Sequence, residues 1–367
     1  MLPIRETTYK GQEENMADEK VLTNEPVLCA KDLEIQFSLR GRMLKAIRSC
    51  SIDVYEGETL AIVGESGSGK SVLTKSFIGM LDANGSISGG SIVYRGEDIS
   101  KYKTEEDWLR IRGKKIAMVM QDPMTSLNPL KTVGAQIRES IELHQGLSGN
   151  DARDKTIETL VKVGITDPQR RYRQYPHEFS GGMRQRVVIA TAIACRPEIL
   201  ICDEPTTALD VTIQAQILDL IRNLQSELHM TIIYITHDLG VVANVAERVA
   251  VMYAGQIVEY GLVNEIYYNA WHPYTWALLS SLPQLGVKGE DLSSIEGTPP
   301  NLFNVIQGDA FAPRNKMALA IDFVKEPPLF TISQTHKAKT WYLDPRAPKI
   351  EQPEVIRRMR EKLRTEG

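Results

Sequence analysis

From residue 27 onward, short apolar segments alternate with turn-forming residues, and the period of the pattern changes along the chain. VLCAKDLEIQF (27–37), AIRSCSIDVYEG (46–57) and the more apolar ETLAIVG (58–64) predict three strands. The loop GESGSGKS (64–71) follows, then a helical period over 72–81, a Gly/Ser-rich turn, and a strand at GSIVYRG (90–96). Between about 122 and 199 the period is helical, as in VGAQIRESIELH (133–144) and DKTIETLVKVG (154–164), with breaks at SLNP (126–129) and QYPHEFSGG (174–182). This block predicts an all-helical insert. EILICDEP (198–205) and TIIYITH (231–237) then read as buried strands around an amphipathic stretch at 212–228, and RVAVMYAGQIVEYG (248–261) is again strand-rich.

The two ends differ from this middle. Residues 1–25 are polar and unpatterned, which predicts a flexible arm. Beyond Pro283 the composition shifts to Pro and Gly, as in EGTPPNLFNVIQGDAFAPRNK (296–316), predicting an irregular extension over 286–367. Near its end PEVIRRMREKLR (353–364) sets Ile356, Met359 and Leu363 on one helical side among basic residues, a solvated docking helix rather than a nucleic-acid arm.

Bulk numbers narrow the class. With 367 residues the chain has room for two or three packed units, and 42% hydrophobic with 25% charged residues describes a folded, soluble chain. The 43 basic and 47 acidic residues leave a net charge of −4, with no global attraction to nucleic acid or anionic lipid. No apolar run is long enough to span a bilayer and the first twenty residues are too polar for a signal peptide, which predicts a cytosolic chain. Cys29, Cys50, Cys195 and Cys202 lack paired metal spacing and read as reduced, partly buried thiols.

GESGSGKS sits between a buried strand and a helix. Backbone N–H groups of Gly64, Glu65, Ser66, Gly67, Ser68 and Gly69, with Val72 just beyond, can curl around a polyphosphate. Lys70 brings a point charge to the outer phosphates and Ser71 can ligate magnesium. ILICDEP supplies an acidic half: Asp203 can hold the metal's water shell and Glu204 can polarise an attacking water. FSGGMRQR (179–186) places Ser180, Gly181 and Gly182 before a helix predicted from Met183 to Ala194, an arrangement suited to an anion. Each motif alone has a bland reading, as a Gly/Ser turn, a solvated strand end or a hinge. Their order favours a P-loop nucleotide fold of α/β class.

Over 27–283 the chain resembles the ATP-binding subunits of ABC transporters, through the phosphate loop, VMQDP with Gln121, FSGGMRQR, ILICDEP, TTALD with Asp210 and YITHD with His237. The resemblance implies a RecA-like core with an antiparallel β subdomain, the helical insert, and an ATPase domain over 26–285. It implies that Ser180, Gly181 and Gly182 meet the γ-phosphate of an ATP held by a partner chain, with Asp210 at the dimer seam. Gln121 would touch the metal and the attacking water, His237 would contact the γ-phosphate, and Ser71, Gln121 and Asp203 would serve magnesium. Phe37 is the candidate for stacking on adenine, with a strand-core role as its alternative. Met183 replaces the Gln of the family's commonest LSGGQ signature and leaves the Ser and both Gly intact.

QDPMTSLNP, HEFSGGMRQR and WHPYTWALLSSLP (271–283) are similar to the peptide and nickel importer branch. That branch implies a second homologous ATPase subunit, two transmembrane permease subunits and an extracytoplasmic peptide-binding protein, no nucleic acid, and a peripheral place at the cytoplasmic face of the membrane. Oligopeptide is the first choice of cargo, with dipeptide or nickel as alternatives. A soluble ABC ATPase acting on ribosomes or DNA, or a module using ATP only as a clamp, are the runners-up. The branch's extension commonly carries four cysteines for an iron–sulfur cluster. Here Asp309, Asn315 and Asp322 stand near the expected places, which predicts no cluster on a retained polypeptide frame.

Overall fold

The computed structural model describes residues 25–207, 209–282 and 295–366. The first 24 residues of the predicted arm and the boundary expected at 285/286 therefore lie outside the described residues.

Two sheets organise the chain. The first is antiparallel, in the order β2-β1-β4-β5, from β1 (Leu28–Leu39), β2 (Arg42–Val54), β4 (Gly85–Tyr94) and β5 (Glu97–Asp98). Two-residue turns with positive φ at both positions, Arg40–Gly41 and Arg95–Gly96, join its hairpins, since such turns match the twist of the paired strands. The second sheet runs β11-β12-β10-β9-β3-β8-β7-β6. Its parallel part comprises β3 (Thr59–Val63), β6 (Ile116–Val119), β7 (Ile199–Asp203), β8 (Thr231–Thr236) and β9 (Arg248–Tyr253). β10 (Gln256–Leu262), β11 (Leu329–Thr331) and β12 (Lys337–Lys339) extend it antiparallel.

The central strands are buried on both faces, so successive residues enter different cores. Leu60, Ile62, Ile201 and Ile233 face the antiparallel sheet and helix α1 (Lys70–Ser76). Leu200, Cys202, Ile232 and Tyr234 face the helical insert and the long helix at 211–228. Ala61, Val63, Val249 and Val251 face the C-terminal helices and extension. Each such Leu, Ile or Val side chain contributes roughly 1.5–3 kcal/mol by leaving water.

The insert contains α2 (Val133–Gln145), α3 (Gly149–Lys162) and α4 (Gly181–Ile193), and single helical turns at Pro123–Ser126 and Pro168–Arg171. It closes before Ile199, which already belongs to β7. α5 (Val211–Leu228), α6 (Leu239–Val245), α7 (Val263–Asn269), α8 (Pro273–Ser280) and α9 (Glu354–Glu366) complete the helices used below.

Four expectations change. The helix expected over 72–81 starts at Lys70 and ends at Ser76, because Gly79 turns left-handed (φ 61°) and the Met80 N–H closes back on the Lys75 carbonyl. The turn expected before Gly90 is strand: Gly85 pairs with Phe37 and Ile87 with Ile35, and a Cβ on Gly85 would stand 2.6 Å from the Phe37 ring. The extension is not irregular throughout, since β12 pairs with β10 through Glu259↔Ala338 and Tyr260↔Lys337 and brings β11 with it. Finally, α9 docks on its own chain. Ile356 is buried in the third core, and Arg360 donates to the Tyr268 carbonyl and to Asn269 Oδ1. The Leu363 side chain lies outside the described residues.

A buried ion pair ties the sheets together. Arg248, opening β9, donates through Nη1 to Glu58 Oε1 (3.0 Å) and to the Asp53 carbonyl of β2 (3.2 Å), and its guanidinium lies 5.0 Å from the Tyr55 ring. Both side chains of the ion pair are at most 5% exposed, so removing the cation strands a carboxylate. Arg248→Ala is expected to cost about 3–5 kcal/mol in denaturant unfolding. A loss below about 1 kcal/mol would show that Glu58 is accommodated without its partner.

Candidate functional site

β3 delivers the chain into the loop 64–69 beneath the β9–β10 turn. Gly64 takes φ 154°, where a Cβ would lie 2.1 Å from the Met252 carbonyl oxygen. Gly69 precedes α1 at φ 109°, against the Ile47 and Met252 side chains. Two loop positions therefore accept only glycine. The Gly255 N–H donates to the Ser68 carbonyl (2.8 Å), while the Ser68 hydroxyl is buried without a partner among the described residues. Lys70, 5% exposed, donates from Nζ to the carbonyls of Gly64 (2.7 Å) and Glu65 (3.0 Å). Burial lowers its pKa, against the opposing charges of Glu204, Asp203 and Glu65.

The acidic half meets this loop. Ser71 Oγ donates to Asp203 Oδ1 (3.1 Å), and Asp203, at the end of β7, is 5% exposed. Burial raises the Asp203 pKa, and the Ser71 hydrogen bond and nearby lysines oppose the rise. Glu204 turns the chain off β7 in the left-handed region, φ 45°, pinned by its N–H to the Ile235 carbonyl (2.9 Å). Its carboxylate is held from three directions: Gln121 Nε2 donates to Oε2 (2.9 Å), Thr207 Oγ1 donates to Oε2 (2.9 Å), and His237 Nδ1 lies 3.1 Å from Oε1. Burial works to raise its pKa, but the His237 and Thr207 hydrogen bonds outweigh it and hold the carboxyl below the usual range. The residues read from sequence as one site, Lys70, Ser71, Gln121, Asp203, Glu204 and His237, are thus brought together. Thr207 was not singled out; its TTALD stretch was read only for Asp210.

The signature loop is built from local contacts. Ser180 caps α4 and accepts from the Met183 N–H (3.4 Å), so the helix begins at Gly181 rather than Met183. A Cβ on Gly182 would meet Ile213 at 2.7 Å, whereas Gly181 is exposed. Asp210 caps α5 by accepting from the Ile213 N–H (3.0 Å). No hydrogen bond among the described residues joins Ser180, Gly181 or Gly182 to the phosphate loop. Phe37 completes the inward row Leu33, Ile35, Phe37 of β1 and keeps 8% exposure, so packing supports its strand-core role in place of an open face for adenine.

Two residues the sequence reading left out of the site also touch the phosphate loop. The Glu65 N–H donates to Tyr274 OH of α8 (2.7 Å), and Arg314 of the extension grips the Glu65 carboxylate. Both lie in stretches noted above only for lineage, WHPYTWALLSSLP and GDAFAPR. Nothing in one dimension links them to a loop 209 and 249 residues earlier.

Where the branch would hold an iron–sulfur cluster, the residues do not fit one. Asp309 Oδ1 accepts from the Phe311 N–H, Asp322 Oδ2 from the Leu319 N–H, and Asn315 Oδ1 from the Met317 N–H. The Asp309 N–H donates to the Asp322 carbonyl (2.7 Å) and Asn315 Nδ2 donates to Tyr342 OH (2.9 Å). Hydrogen bonds through oxygen and amide groups tie the frame, and such groups are not the thiolates such clusters require.

Residues 47–207 match the family described as ABC transporter, and 258–321 match the C-terminal region of oligopeptide/dipeptide transporters. The chain is 58% identical over 338 residues to the oligopeptide transport ATP-binding protein AmiE of Streptococcus pneumoniae, covering 92% of this chain and 95% of that one. It is 54% identical to the dipeptide transport ATP-binding protein DppD of Lactococcus lactis, covering 91% of this chain and 94% of the relative. With the oligopeptide transport ATP-binding protein OppD of Bacillus subtilis it shares 53% identity over 92% of this chain and 94% of that one. Among solved structures, the dimeric post-hydrolysis state of the ATP-binding cassette MJ0796 bound to ADP and Pi superposes with a TM-score of 0.58 at 26% identity. It covers 64% of this chain and 98% of that one.

Proposed function

Because this chain belongs to the ATP-binding subunits of ABC transporters, we propose that it hydrolyses ATP to energise import of oligopeptides across the cytoplasmic membrane. The observation that carries the reading is the Glu204 carboxylate, held ionised between Gln121 and His237 beside the Ser71–Asp203 pair at the mouth of the phosphate loop. An ionised carboxylate so placed takes a proton from water at its Oε atoms, which general-base chemistry needs near neutral pH.

The loop amides and Lys70 bind and orient the β- and γ-phosphates, and Gln121 and His237 fix the base. The Ser71 hydroxyl and the Asp203 carboxylate would hold magnesium, which when bound would supply charge neutralisation on the transferring phosphoryl group. Ser180, Gly181 and Gly182 serve the nucleotide of a second, homologous ATPase subunit arranged head to tail. The dimeric cassette named above supports this. Closure of the pair on ATP, and release after hydrolysis, moves two permease subunits docked near the Gln121 loop and insert. A ligand does such work only through its different affinities for the closed and open pairs. No helix among the described residues is long and apolar enough to cross a membrane, in keeping with attachment through the permeases at the cytoplasmic face.

The cargo reading follows the names of the relatives, and a dipeptide stands beside it because one relative at 54% identity carries that name. The test is purification of the chain from gently solubilised membranes with ATP turnover measured against added peptides. Recovery with two polytopic subunits, a second ATPase and an extracytoplasmic peptide-binding protein, and turnover raised by oligopeptides more than by dipeptides, is expected. Recovery with ribosomes or DNA would overturn the transport reading and leave the ATP chemistry intact.

A further inference from the structure

Glu65, the second residue of the phosphate loop, is held at both ends by groups from outside the nucleotide core. Its N–H donates to Tyr274 OH, and its two carboxylate oxygens each receive one prong of the Arg314 guanidinium, Nη1 to Oε2 at 2.6 Å and Nη2 to Oε1 at 3.0 Å. A parallel two-pronged grip fixes direction as well as distance, which a single contact does not.

Arg314 is itself immobilised. Nε donates to the Glu296 carbonyl (2.9 Å), Nη2 to the Ile295 carbonyl (3.3 Å) and Nη1 to Tyr253 OH (3.2 Å), so its donors are all engaged. The guanidinium lies 5.8 Å from the centroids of both Tyr253 and Phe311, and the side chain is 4% exposed. Tyr253, Tyr274 and Phe311 form a closed aromatic triangle with centroids 4.5–5.4 Å apart. That triangle joins the end of β9, α8 and the extension.

Glu65 and Lys70 share the same short loop, and Lys70 donates to the Glu65 carbonyl itself. Wherever Arg314 sets the Glu65 side chain, the peptide groups on either side of it follow. We propose that Arg314 is a positioning residue for the phosphate loop, through which the C-terminal extension sets the affinity for ATP. This rests on the reading that the loop holds ATP, and it gives the extension a part in nucleotide binding that needs no metal cluster.

The experiment measures affinity for a fluorescent ATP analogue, and the KM and kcat of ATP turnover, on the full chain with its membrane partners. It compares wild type, Arg314→Met, Glu65→Gln, the double variant and Lys70→Ala. Thermal unfolding of the nucleotide-free proteins is measured alongside. Arg314→Met and Glu65→Gln are each expected to weaken binding about tenfold and to raise KM equally; for Arg314→Met kcat at saturating ATP stays within about twofold, because Glu204 is untouched. The double variant is expected to be no weaker than the weaker single one, the mark of two residues acting as a unit. Glu65→Gln keeps the size of the side chain and guards against the case in which Arg314→Met does not fold. Wild-type affinity in Glu65→Gln, or losses that multiply in the double variant, would overturn the clamp. A wild type without saturable binding, indistinguishable from Lys70→Ala, would overturn the ATP reading and the clamp with it.

Discussion

Glu204→Gln is expected to lower ATP turnover by about a hundredfold or more while ATP binding persists. The amide matches the carboxylate in shape and still accepts from Thr207 or Gln121 through its oxygen, so the left-handed turn at 204 and the end of β7 stay in place. It has no charge with which to take a proton from water. Separate measurement of phosphate release and nucleotide affinity distinguishes this outcome from collapse of the site, in which both would fall. Turnover within a few-fold of wild type would assign the base to another group.

Lys70→Ala acts on the other side of the reaction. It removes the ammonium, whose charge-assisted hydrogen bonds are worth roughly 1.5–3 kcal/mol each, and an ATP affinity lower by about two orders of magnitude is expected. It also takes the donor from the Gly64 and Glu65 carbonyls, so the loop loses its internal brace along with its charge. Equilibrium titration with nucleotide checks this, and a loss below about threefold would remove Lys70 from the phosphates.

What the sequence made legible was what chemistry packs into a few consecutive residues. GESGSGKS and ILICDEP each come with a strand, a turn and their side chains, so local pattern was enough to bring Lys70, Ser71, Asp203 and Glu204 together, while His237 of YITHD is assigned only by the resemblance. Gln121 was reached through the resemblance, and the hydrogen bond to Glu204 now gives it a physical place. Non-local pairing was hidden. Gly85 looks like a turn former until Phe37 of β1 lies across it, and Leu329–Thr331 and Lys337–Lys339 are too short to register as strands before β10 provides a partner. Phe37 has two readings as an isolated aromatic for a related reason. Its fate depends on the row it shares with Leu33 and Ile35 and on what packs over it.

The pairing of β12 with β10 bears on how the ATPase domain can be handled in isolation. With β11 and β12 in place, β10 is an interior strand, buried along most of its length, and the buried Glu259 on it accepts from the Trp271 and His272 N–H groups and meets His336 Nε2 at 2.8 Å. A chain cut after α8 would convert β10 into a sheet edge, with a row of unpaired N–H and C=O groups and a carboxylate missing one of its partners. Such an edge invites pairing with other copies. The aggregation of a shortened fragment would then report on the uncovered strand and carry no information about the competence of the phosphate loop.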